Sequence, residues 1–420
     1  MGMIETLRSV LRFRPFELDP VERRLARAAS IEDLRGIAKR RLPRGVFDYI
    51  DGGAEDELTL ERNTAGFRAL EFRPRVLRDV SDIDPSATVL GKKLPIPLIL
   101  APTGFARMAD PEGELAVARS AARAELPYTL STLSTRSIEE VASAADRVAH
   151  SRAGTPLADR RRWFQVYVWK DRDLMKDLLA RARESGYEAI TITVDTAVLG
   201  RRERDVRRGF TIPPKIGLGT LIDGALHPGW TWAFVNAEPI RFANVVGKHS
   251  DDGSSAVSLA DHMNSQFSQS LSWSDIEWFQ EAWGGPVVLK GVQTVEDART
   301  AASLGVEAVA LSNHGGRQLD GAPPPIELVA PVADAVGGDV EIYCDGGVRR
   351  GSDIVKAVAL GATACMAGRA HFYALAAAGE RGVDWMLDFL EAGVRQTMAL
   401  TGCKSLSDAT RDLLRSRSSA

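Results

Sequence analysis

Cysteine is nearly absent from this chain of 420 residues. Cys344, Cys365 and Cys403 are the three present, an odd number with no CxxC spacing. Neither a disulfide framework nor a cysteine-rich metal site is expected, and the thiols read as reduced, as in a cytosolic protein. No basic excess exists either: 53 Lys and Arg against 56 Asp and Glu leave a net charge of -3. Nucleic acid is therefore not an expected partner, since nothing would neutralise its phosphates. No run of about 18 apolar residues is present to span a bilayer. The first fourteen residues are charged and lack an apolar core with a cleavage site, so no signal peptide is expected and any membrane contact would be peripheral. What remains is 45% hydrophobic sequence, enough to bury a large core.

That hydrophobic sequence is ordered. From Leu94 a unit recurs: a short apolar strand, polar or glycine punctuation, then an amphipathic helix. The strands are expected at Ile96–Ala101, Pro127–Leu130, Trp163–Val168, Ala189–Val194, Pro286–Lys290, Ala308–Ser312, Glu341–Cys344 and Ala362–Met366. Most are apolar throughout, as parallel strands covered on both faces must be. Helical patterns at Glu112–Arg123, Ser137–Ala145, Asp173–Ser185, Thr294–Leu304 and Ser352–Leu360 lie between them. Thr294 ahead of Glu296 and Asp297 reads as a helix cap. Eight such units predict a (β/α)8 TIM barrel, an α/β fold, with a doubly wound open sheet as the competing architecture. The expected organisation is an N-terminal helical extension over 1–90, with helices at Ile31–Arg41, Gly45–Tyr49 and Asp56–Phe67, a barrel over 91–400 and a tail over 401–420. A long insertion after the fourth strand, 211–273, including the polar run His249–Ser255, reads as a lid or a membrane or acceptor segment.

In a barrel the C-terminal strand ends meet in one mouth, and here every end is polar. Pro102, Thr103 and Gly104 follow the first strand, and Ser131 and Thr132 the second. Gln165 and Tyr167 lie on the third, and Thr193 and Asp195 on the fourth, followed by Arg201 and Arg202. Lys290 ends the fifth. Ser312, Asn313, His314, Gly315, Gly316, Arg317 and Gln318 follow the sixth, Asp345, Gly346, Gly347, Val348 and Arg349 the seventh, and Gly368 and Arg369 the eighth. The last two loops suit a phosphate: glycines let backbone N–H groups approach, a helix near Ser352 offers its positive end, and the arginines add charge. Tight turns alone would also use these glycines. Among six histidines, His314 stands out as a general base, because it sits at a strand end beside two glycines. Asp195 is placed to orient it. Arg202 and Arg317 suit a substrate carboxylate, although Arg202 also belongs to a basic run that solvent alone would explain. Lys290 suits either a fixed charge beside a cofactor or a Schiff-base nucleophile.

The run Ser312–Gln318 resembles the active-site signature of the FMN-dependent L-2-hydroxy-acid oxidases and dehydrogenases, and the likeness extends from about Ile31 to Ser407. Within that family the chain is most similar to the bacterial respiratory L-lactate dehydrogenases, whose corresponding segment resembles His227–Trp232. The resemblance implies FMN held by Pro102, Thr103, Gly104, Ser131, Gln165, Thr193, Lys290 and Ser312, with Asp345, Gly347, Arg349, Gly368 and Arg369 on its ribityl and phosphate groups. It implies that His314, oriented by Asp195, takes a proton from a small 2-hydroxy acid such as L-lactate while hydride passes to FMN; a carbanion route would use the same residues. Arg202, Arg317, Tyr49 and Tyr167 would bind the substrate, and Lys290 would support the reduced cofactor. No metal is implied. Electrons would pass to a quinone or similar acceptor, the alternative being an oxygen-using oxidase that makes hydrogen peroxide. A non-catalytic flavin-binding scaffold is a third reading, against which the filled set of His314, Arg317 and Arg202 argues. A homotetramer is expected, cytoplasmic or peripheral on the inner face of the cell membrane. Trp230, Trp232 and Phe234 in the insertion suit either a membrane interface or packing under a lid. Two departures stand out: Leu133 replaces the tryptophan of glycolate oxidases, and Gly104 the alanine of familiar oxidases.

Overall fold

Apolar runs bounded by glycine and helix caps become strands when both of their faces are covered, and this protein covers eight of them with helices. The computed structural model describes residues 17–151, 161–208, 217–245 and 270–416. Ahead of the barrel come β1 (Leu70–Phe72) and a hairpin of β2 (Ala87–Val89) and β3 (Lys92–Leu94). The barrel strands are β4 (Leu98–Leu100), β5 (Tyr128–Ser131), β6 (Arg162–Tyr167), β7 (Ala189–Thr193), β8 (Val287–Val292), β9 (Ala308–Ser312), β10 (Glu341–Asp345) and β11 (Ala364–Ala367). They pair in parallel and in order, and β11 closes on β4 through Cys365 opposite Leu98. The open sheet is excluded.

Alternate residues of each strand point inward. Trp163 and Tyr343 stack inside the barrel with ring centroids 5.8 Å apart. Ile99, Phe164, Ile190 and Val309 are fully buried, each contributing about 1.5–3 kcal/mol relative to exposure. The expected helices form, and Thr294 caps Val295–Ser303 by accepting from Asp297 N. The helix Arg369–Thr401 follows β11 and breaks at Ala378 and Gly379, where Gly379 takes φ +62°. In the N-terminal extension, helices Ile31–Arg41, Arg44–Asp51 and Leu58–Arg68 lie on the same core. The tail returns to this extension: β12 (Leu414–Ser416) pairs antiparallel with β1.

Helices Leu218–Leu226 and Pro228–Val235 occupy the described part of the insertion after β7. The run His249–Ser255 lies outside the described residues. Trp273, placed at the end of the insertion on sequence grounds, instead begins the helix Trp273–Trp283 that leads into β8, with Ser272 and Asp275 forming its capping box.

Candidate active site

Strand register collects the polar residues into one layer. Ser131 pairs with Gln165, Tyr167 with Thr193, Thr193 with Lys290 and Ser312 with Asp345. Above this layer opens a cavity of about 320 Å³, within the usual range of ligand pockets. Tyr49, Pro102, Thr103, Gly104, Ser131, Gln165, Tyr167, Thr193, Arg202, Lys290, His314, Arg317, Asp345, Gly347, Arg349, Gly368 and Arg369 all line it. Asp195 and Ser312 stand one layer behind, each bonded to a lining residue.

The loop after β9 holds His314 in a tight conformation. His314 has φ +57°, and Gly315 and Gly316 follow at +66° and +74°. A Cβ on Gly316 would lie 2.6 Å from Leu60 N, so only glycine allows this close approach to the N-terminal helix. Asn313 fixes the turn: its side chain exchanges hydrogen bonds with that of Asn63 and accepts from Gly316 N. His314 Nδ1 lies 3.0 Å from Asp195 Oδ1. Burial pushes the Asp195 carboxyl up, but the charge and hydrogen bond of His314, with Lys290 nearby, outweigh it and hold it below the ordinary value. Its Oδ2 meets no hydrogen-bond donor among the described residues. With Nδ1 committed to Asp195, Nε2 is the ring nitrogen left for proton transfer.

Two guanidinium groups flank one ring. Arg317 lies 5.1 Å and Arg202 5.6 Å from the Tyr49 centroid. Arg317 donates to the Tyr49 and Gly52 carbonyls. Burial, with Arg202 and Arg369 close by, pulls its pKa down to about 9. Tyr49 was not singled out by residue chemistry alone, since a helical aromatic carries no local signal; only the resemblance named it.

Beneath lies a polar floor. Lys290 Nζ is 2.6 Å from Asp345 Oδ2 and donates to Ser312 Oγ at 2.9 Å; Ser312 in turn donates to Asp345 and accepts from His314 N. Held between Asp345 and Ser312, Lys290 is placed as a fixed group of the floor. Ser131 donates to Gln165 Oε1, and Gln165 Nε2 to Thr193. At the far end Gly346 and Gly347 take φ +135° and +83°, and a Cβ on Gly347 would lie 1.9 Å from Asn63 O. Arg349 lines that end, just ahead of helix Gly351–Ala359. Arg369 stands between this end and the arginine pair: its guanidinium is held on the carbonyls of Ile50, Gly52 and Gly315, and Arg317 shares the Gly52 carbonyl.

Other lining residues carried no sequence signal that was read. Phe105, Leu199, Asp205 and Phe242 line the cavity. Phe242 comes from the insertion and packs edge-on against Phe105 at 4.8 Å, so that segment contributes to the pocket wall. His371 stands 3.1 Å from Thr103 Oγ1. The contact is tertiary, 268 residues apart in sequence.

A parallel barrel whose C-terminal face opens on a cavity lined by arginines, glycines and a His–Asp pair has the make-up of a cofactor-dependent barrel enzyme. The family model described as FMN-dependent dehydrogenase matches residues 38–416. A putative L-lactate dehydrogenase of Mycobacterium tuberculosis is 43% identical over 96% of this chain and 93% of its own. An L-lactate dehydrogenase of Caulobacter vibrioides is 42% identical over 93% and 98%, and glycolate oxidase 1 of Oryza sativa 42% identical over 91% and 94%. The crystal structure of the monotopic membrane protein (S)-mandelate dehydrogenase superposes with a TM-score of 0.86 at 38% identity, covering 93% of this chain and all of that one. The chain belongs to the FMN-dependent dehydrogenase family and is an FMN-dependent oxidoreductase. FMN fits the residues present: a cationic, glycine-lined end for its phosphate, and an amide, hydroxyl and ammonium floor for the polar edge of its ring.

Proposed function

We propose that the protein oxidises a small L-2-hydroxy acid, L-lactate foremost, to the 2-oxo acid, with His314 as the base. The observation that carries this reading is the His314–Asp195 dyad in the same cavity as the Arg202–Arg317 pair. A carboxylate on the two guanidinium groups, assisted by Tyr49 and Tyr167, would fix the substrate with its hydroxyl toward His314 Nε2. His314 then removes the hydroxyl proton, and Asp195 stabilises the resulting imidazolium. FMN, when bound, supplies the acceptor for the electron pair that leaves with the Cα hydrogen. Pro102, Thr103, Gly104, Ser131, Gln165, Thr193 and Ser312 would hold its ring and ribityl chain, and Asp345, Gly347, Arg349, Gly368 and Arg369 its ribityl and phosphate end. Lys290 would stand beside the ring and support the reduced cofactor.

A quinone as onward acceptor is supported by the exposed apolar side chains of the insertion. Leu218, Leu221, Leu226, Trp232 and Val235 are between 61% and 75% exposed, a composition suited to a bilayer interface. Trp230 donates to Met108 O and stacks on Phe234. No helix among the described residues is long and apolar enough to cross a membrane. Tetrameric assembly rests on the family resemblance.

Anaerobic mixing of the FMN-loaded protein with L- and D-2-hydroxy acids tests the reading. Bleaching of the flavin band by L-lactate, and its loss in His314→Ala with FMN retained, are expected. Bleaching by no 2-hydroxy acid, or an unaltered rate in the variant, would overturn it. Peroxide released in proportion to substrate would replace the quinone with oxygen.

A further inference from the structure

The base dyad and the arginine pair are each split between two loops, and one side chain joins those loops. His314 and Arg317 lie on the loop after β9, Asp195 and Arg202 on the loop after β7. Residues 195–200 form neither helix nor strand, so their course depends on contacts from outside the segment. Gln318 supplies three of them. Its Nε2 donates to Asp195 O at 2.8 Å and to Val198 O at 2.9 Å, and its Oε1 accepts from Gly200 N at 2.9 Å. Carbonyls only accept and a backbone N–H only donates, so a single orientation of the amide serves all three bonds. Gly200 lets the two backbones meet: a Cβ there would lie 2.3 Å from Arg317 O and 2.6 Å from Gln318 Cα.

The staple does not bear equally on both functions of its loop. Arg201 O accepts from Glu55 N, and Val206 N bonds to Arg202 O where the helix Glu203–Arg208 begins. The stretch that carries Arg202 is thus anchored without Gln318, and Arg317 is held on the Tyr49 and Gly52 carbonyls. Asp195 is held differently. One of its carboxylate oxygens reaches His314 and the other meets no donor among the described residues, so its place is set largely through its backbone.

We infer that Gln318 is a positioning residue for proton transfer, which holds the Asp195 carboxylate on His314 by fixing the backbone from Asp195 to Gly200. Gln318 borders the cavity, but both hydrogens of its amide are committed to the loop, so it acts on the reaction through Asp195. This rests on the proposed role of His314 as the base and adds the residue that keeps its partner in place.

The test is a double-mutant cycle on the FMN-loaded protein, read by anaerobic flavin bleaching with L-lactate and with FMN content measured in every variant. Gln318→Met keeps the length of the side chain and removes all three bonds. Gln318→Glu keeps an acceptor for Gly200 N and removes both donors. Each should lower the rate at saturating L-lactate by about 10²-fold, while the lactate concentration for half-maximal rate changes by no more than a few-fold, because both arginines keep their anchors. Added to Asp195→Asn, which has already lost the carboxylate to be positioned, Gln318→Met should cost less than about threefold more. A structural defect alone would cost the same factor in both backgrounds. Equal factors, a rate within a few-fold of wild type in either single variant, or loss of FMN from both, overturns the inference. An Asp195→Asn protein that bleaches as fast as wild type sinks the base dyad itself, so the two failures are distinct.

Discussion

His314 and Asp195 meet at 3.0 Å across a strand that belongs to neither of them. His314 follows β9 and Asp195 follows β7, and β8 runs between the two. Asp195→Asn would keep the size of the side chain but let its amide present either a donor or an acceptor to Nδ1, so the wrong ring nitrogen could carry the proton. FMN reduction by L-lactate should fall on the order of 10³-fold with FMN binding intact. Stopped-flow measurement of flavin bleaching checks this, and a rate within a few-fold of wild type would remove Asp195 from the mechanism.

The strand between them makes room through Gly291. It takes φ +111° at an irregularity in the β8–β9 register, and a Cβ there would lie 2.9 Å from Asp195 Cβ and Cγ. Gly291→Ala therefore combines backbone strain of about 1–3 kcal/mol with displacement of the carboxylate from the imidazole. Lower thermal stability together with slower FMN reduction is expected. A variant as stable and as fast as wild type would show that the loop adapts without cost.

Much of this arrangement was legible beforehand. Ala308–Ser312 and Ile31–Arg41 form with the ends expected of them, because a doubly covered strand and a capped amphipathic helix each write their whole pattern locally. The strand ends were legible for the same reason, and with them the residues of the polar floor. Pairings that span the chain were not. β1 meets β12 more than 340 residues later, through short partly exposed strands without a strong period. Asp205 sat within a basic run that reads as a solvated surface, and the helix that turns it inward has only six residues. Phe242 came from an insertion whose sequence has no barrel periodicity. Each is brought to the cavity by tertiary packing, which local pattern does not encode.

The apolar side chains of the insertion predict how the protein partitions. Each of Leu221, Leu226 and Trp232 contributes about 1.5–3 kcal/mol when removed from water, so three together are enough for reversible docking on a bilayer. Replacing all three with serine should move the protein from the floating to the soluble fraction in vesicle flotation. FMN reduction by lactate should be unaltered, as none of them lines the cavity. A wild-type protein that never floats would sink the docking role.

His371 makes stability depend on pH. Its ring is fully buried, and burial holds its pKa down at about 4 against an ordinary 6.5. Nδ1 faces the Ala367 carbonyl, which can only accept, so Nδ1 carries the hydrogen and Nε2 accepts from the Thr103 hydroxyl. Because the folded value lies below the unfolded one, the unfolded chain binds the extra proton first as pH falls. The stabilising effect of the neutral ring is present in full above pH 6.5 and is lost as pH drops from there toward 4, amounting to roughly 3 kcal/mol. His371→Gln retains an acceptor for Thr103 but does not titrate. Urea denaturation of the FMN-loaded protein between pH 7 and pH 4.5 should show a shallower loss of stability in this variant than in wild type. Parallel curves would mean that the imidazole finds a way to take up its proton without unfolding, with Thr103 turning its hydroxyl toward the cavity to accept from the ring.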